Sequence, residues 1–66
     1  MYTKREKEVL DLLITGKKNK EIAEILCITE HTVKAHIDHI YEKSKVHSRI
    51  ELIIKELTKN KEFEQE

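Results

Sequence analysis

Residues 19–44 read NKEIAEILCITEHTVKAHIDHIYEKS, two helical patterns separated by a short break. In the first, Ile22, Ala23 and Leu26 fall on one face at helical spacing, and Asn19 stands where a capping side chain is expected. Ala23 is small where helices can cross. Cys27-Ile28 interrupts the pattern, and Thr29 is placed to cap a second helix through the amides of the turn that follows. At about 100° per residue, Val33, Ile37, Ile40 and Ser44 share one face of that longer helix. His31, Ala35, Asp38 and Glu42 lie nearly opposite, on a face left to water.

Outward from this pair, the punctuation remains helical. Upstream, Thr3 with Glu6 fits a capping box, and Val9, Leu10 and Leu13 recur at helical spacing. Thr15-Gly16 supplies the stop near Ile14, followed by a basic bend, Lys17-Lys18-Asn19. Downstream, Ser48 with Glu51 repeats the capping-box pattern, and Ile50, Ile53, Ile54 and Leu57 form an apolar stripe that excludes Leu52. The tail at 59–66 is expected to fray, with Phe63 able to dock back onto the domain. The pattern predicts one all-α domain of four helices over residues 1–66.

Composition agrees with that class and narrows the function. Sixty-six residues, 38% hydrophobic and 39% charged, with one Gly and no Pro, favour helices over strands and leave little room for a deep substrate cleft. No apolar run approaches a membrane span, no export signal follows Met1, and the single cysteine, Cys27, makes no internal disulfide, so a cytoplasmic location is expected. The 13 basic and 13 acidic residues cancel. Their distribution is uneven: between residues 17 and 49, seven basic side chains meet five acidic ones, a net of +2, and all four histidines fall in the same segment.

A short helix joined tightly to a longer one with a polar outer face is a helix-turn-helix candidate. The residues carry a more specific resemblance. TKREKEVLDLLITGKKNKEIAEIL is similar to the LuxR/FixJ/GerE-type opening Thr-x-Arg-Glu-x-Glu-Val-Leu, then Gly, then Asn-Lys-Glu-Ile-Ala. ITEHTVKAHIDHIYEKSKV with Ser48-Arg49 resembles that family's Ser/Thr-x-x-Thr-Val-Lys-x-His stretch and closing Ser/Asn-Arg. The resemblance covers nearly the whole chain. It implies a compact four-helix domain, winged-helix-like without the wing, that binds double-stranded DNA to regulate bacterial transcription. The third helix, about Glu30 to Ser44, would enter the major groove, and the fourth would supply a homodimer contact, here expected at Leu52. It also implies a receiver or ligand-sensing domain outside this chain, as in two-component response regulators.

Carried onto this sequence, the resemblance places His31, Lys34, Ala35 and Asp38 toward the bases. Lys34 has the reach and charge for a guanine or a phosphate, and Ala35 offers a methyl to a thymine methyl. Asp38 departs from the basic or polar residue of many relatives: it can accept from cytosine N4 or repel phosphate. Lys17, Lys18, Lys20, Thr32, His36, His39 and Arg49 are expected along the DNA backbone. For Arg49 the alternative is an ion pair with Glu6 or Glu51 inside the domain. Protonation of His31, His36 or His39 would strengthen DNA binding. Ser44 replaces a usual leucine, leaving space for Tyr41, Val46 or Phe63; Lys45 replaces a small or turn residue, and Tyr2 a common leucine.

Rival chemistries find less support. Cys27, His31, His36 and His39 are competent zinc ligands, but His31 and His36 project about 140° apart and no paired ligand motif is present. No nucleophile motif or phosphate loop points to an enzyme, and no cofactor is called for. Three aromatics are too few for a single-strand stacking platform. The remaining alternative is a protein-interaction adaptor that uses the apolar surface of the fourth helix.

Overall fold

The computed structural model describes the backbone of residues 1–64 and the side chains of residues 1–58. Four helices follow one another: α1 (Lys4–Ile14), α2 (Asn19–Leu26), α3 (Glu30–Ser44) and α4 (Arg49–Glu64). The described residues form no strand, and none of their helices is long and apolar enough to cross a membrane. Over 59–64, expected to fray, the backbone continues α4, while the expected docking of Phe63 lies outside the described side chains.

Each helix begins where its sequence supplies acceptors for the first amides. Thr3 and Glu6 close the predicted capping box, with Thr3 Oγ1 accepting from Glu6 N at 3.1 Å and Glu6 Oε1 accepting from Thr3 N at 3.0 Å. At α2 the cap position is Lys18 rather than Asn19. Glu21 reaches back to accept from Lys18 N at 2.8 Å, leaving the Asn19 side chain available to a distant arginine. Ser48 caps α4 as expected, accepting from Glu51 N at 3.2 Å, while the Glu51 carboxylate accepts from His47 N one residue further back than the capping-box pattern predicts. Gly16, at φ 94°, makes the left-handed turn that ends α1.

The core is built around α3, which packs on both α1 and α2. Val9, Leu10 and Leu13 meet Ile22 and Ala23 and the predicted inner face Val33, Ile37 and Ile40. Ser44, also on that face, is buried. Tyr2 reaches it, its hydroxyl hydrogen-bonding the Ser44 hydroxyl, while Lys55 Nζ donates to the Ser44 carbonyl; Tyr41 and Val46 pack half-buried against the same core. The departures at residues 2 and 44 thus form one polar contact between the N-terminus and the end of α3.

α4 is rotated from the sequence expectation. Leu52, placed outside the apolar stripe and expected at a dimer contact, is fully buried and joins the core. Ile50, Ile54 and Leu57, expected inside, are 67%, 57% and 55% exposed. Two polar contacts accompany this rotation: Arg49 bonds the start of α2, and Lys55 bonds the end of α3. The row of Arg49, Leu52, Ile53 and Glu56 faces inward, and these four are buried or half-buried.

Candidate nucleic-acid interface

The link between α2 and α3 is short and closed by hydrogen bonds. Cys27 takes the left-handed conformation at φ 58°, and Ile28 N donates to Ala23 O at 3.0 Å, satisfying a terminal carbonyl of α2. Thr29 Oγ1 then accepts from Thr32 N at 3.1 Å and lies 3.0 Å from Thr32 Oγ1. These contacts start α3 directly after the turn. They hold its outer face clear of the core.

That face brings together His31, Lys34, Ala35 and Asp38, all exposed. Lys34 Nζ lies 3.4 Å from Asp38 Oδ2, one helical turn along, and Glu42 continues the exposed row. Lys34 is therefore offset by the Asp38 carboxylate on its own helix.

The residues expected along a DNA backbone separate into groups. Lys17, Lys18 and Lys20 gather at the start of α2, with Lys18 and Lys20 exposed and Lys17 half-buried. Arg49 supports this bend from within: it donates to Asn19 Oδ1 at 3.0 Å and to the Lys17 carbonyl. Its intradomain partners are thus Asn19 and Lys17, in place of the expected Glu6 or Glu51. Thr32 is half-buried and engaged in the α3 cap, and His36 is half-buried on a flank of α3. His39 is exposed but drawn toward α1, its Nδ1 3.8 Å from Glu6 Oε2.

Glu6 was legible as a cap but not as a hub. It is almost completely buried, and Lys43 Nζ donates to its Oε1 at 2.7 Å, joining α1 to α3. The Lys43 ammonium, followed by the Thr3 amide, holds the Glu6 carboxyl below its ordinary value of 4.5. Among the described residues, no group of three His, Cys, Asp or Glu side chains is placed to hold a metal ion.

The four helices, their tight second connection and the outer face of α3 coincide with a sequence match over residues 1–55 to bacterial regulatory proteins of the luxR family. The chain belongs to this family. It is 46% identical over 52 residues to the nitrate/nitrite response regulator protein NarL of Escherichia coli K12, covering 79% of this chain and 24% of NarL. Over 51 residues it is 53% identical to the transcriptional regulatory protein DesR of Bacillus subtilis, covering 77% of this chain and 26% of DesR. Identity to the transcriptional regulatory protein LiaR of the same organism is 50% over 52 residues, covering 79% of this chain and 25% of LiaR. The chain spans about a quarter of the length of these relatives.

Proposed function

We propose that this domain binds double-stranded DNA with sequence preference and regulates transcription, with the outer face of α3 in the major groove. The observation that carries this reading is the exposed row His31, Lys34, Ala35 and Asp38, held clear of the core by the capped turn at Thr29. A major groove about 12 Å wide admits one such helix. The basic bend Lys17, Lys18 and Lys20 then meets the adjoining phosphates, and Arg49 fixes that bend from behind. His36 sits at the flank of the duplex. Family membership and relatives named as response and transcriptional regulators support the same reading. The role requires no chemical step.

A homodimer on DNA extends it. Ile50, Ile54 and Leu57 recur along the outside of α4 and take the place first expected for Leu52. A second copy covering that row pairs two half-sites and multiplies the affinity of a domain with few phosphate contacts. The working location is the cytoplasm, with a receiver or ligand-sensing domain as regulatory partner.

The test is selection of bound duplexes from a random pool, followed by salt titration of wild type and Lys34→Ala. A paired motif, with Lys34→Ala losing about 1 to 3 kcal/mol and preference at one base position, is expected. A folded protein that enriches no duplex overturns the reading. If it instead captures a different protein through Ile50, Ile54 and Leu57, the adaptor role replaces it.

A further inference from the structure

We infer that Asp38 is a specificity-determining residue whose carboxylate selects a cytosine amino group in the major groove and penalises duplexes that present none there. This inference rests on the placement of α3 proposed above. The observation behind it is the exposed Lys34–Asp38 pair, 3.4 Å between Nζ and Oδ2, with side chains 69% and 56% accessible. Asp38 also borders an open depression with Tyr41, Glu42, Lys45, Val46 and His47.

An ionised carboxylate only accepts hydrogen bonds. Most of a DNA surface does the same: phosphates, guanine N7 and O6, adenine N7 and thymine O4 are all acceptors. The donors in the major groove are the amino groups of cytosine and adenine. Adenine sets its amino group beside the N7 acceptor, an edge matched by an amide and opposed by a carboxylate. Cytosine offers its amino group without that acceptor, so Asp38 gains most from cytosine.

The pair with Lys34 extends the effect to the wrong sequences. On a duplex without a suitably placed cytosine, Lys34 can leave for a phosphate or a guanine, but Asp38 is then left facing acceptors. Glu42, one turn further along the same face, adds to that repulsion. On the right duplex both members of the pair exchange partners together, Lys34 to guanine and Asp38 to cytosine. Four residues span about 6 Å of helix, close to two base-pair steps of about 3.4 Å. The two bases therefore lie within about two steps of each other.

The experiment compares the full chain with Asp38→Ala and Asp38→Asn. Each undergoes duplex selection and is then measured on the wild-type winner, its single-base variants and a shuffled duplex, with far-ultraviolet circular dichroism verifying that each is helical. Wild type should lose about tenfold in affinity when the selected cytosine becomes thymine. Asp38→Ala should lose that discrimination and bind the shuffled duplex several-fold more tightly, while Asp38→Asn should move the preference to adenine. Selection by wild type with unchanged base preference and shuffled-duplex affinity in Asp38→Ala overturns the role of Asp38 and leaves the α3 reading standing. If wild type selects no duplex, both fall.

Discussion

Lys45 ends α3 at φ 59°, a left-handed conformation in which a side chain crowds the following carbonyl. Glycine avoids that contact, worth about 1 to 2 kcal/mol, at a cost of about 0.4 to 1 kcal/mol in unfolded-chain entropy, so Lys45→Gly should stabilise the domain by about 0.5 to 1 kcal/mol, seen as a higher urea midpoint with unchanged slope. Glu6 sets the behaviour in acid. Lys43 lowers its carboxyl below the ordinary value of 4.5, so the folded state binds fewer protons than the unfolded one near that pH. Its contribution is fully present above 4.5 and is lost as pH falls through the folded value. Glu6→Gln should lower the melting temperature at about pH 7 and flatten its decline toward about pH 3; a decline as steep as that of wild type would refute this account. The carboxylate's double role was hidden because local spacing reveals a cap, whereas the approach of Lys43 depends on how α1 crosses α3.

α4 separates what periodicity can tell from what it cannot. Its sequence has apolar residues on more than one side, at 50, 52, 53, 54 and 57, so helical spacing establishes a helix without fixing its rotation. The rotation observed buries Leu52 in the core and lets Arg49 and Lys55 reach distant carbonyl and amide oxygens, partners that helical spacing does not reveal. Leu52→Ala should cost about 2 to 5 kcal/mol in chemical unfolding, as expected for a fully buried leucine. Ile54→Glu should change monomer stability by no more than about 0.5 kcal/mol yet weaken binding to a paired site, which sedimentation on a two-half-site duplex would detect. By contrast, the start and the inner face of α3 were legible: its single apolar row and Thr29 cap fix where it begins and which side it buries.

For the whole molecule, zero net charge limits long-range attraction to DNA, so binding must draw on a small local set of cations. If Lys18 meets a phosphate, Lys18→Ala should reduce the magnitude of the log affinity against log salt slope by about 0.9 per domain, equally for all sequences. An unchanged slope would place Lys18 away from the duplex. Sequence reading reached the four helices, most core positions and the exposed α3 row because these follow from local periodicity and capping. It did not reach the Tyr2–Ser44 contact, whose partners are 42 positions apart and each break an apolar pattern. That contact fixes how the molecule can be handled. It tethers the first residues beside the last turn of α3, roughly 20 Å along the helix from Thr29. A fluorophore or affinity handle fused ahead of Met1 should therefore emerge at the opposite end of that helix from its capped start, leaving His31 and Lys34 unobstructed for immobilised measurements.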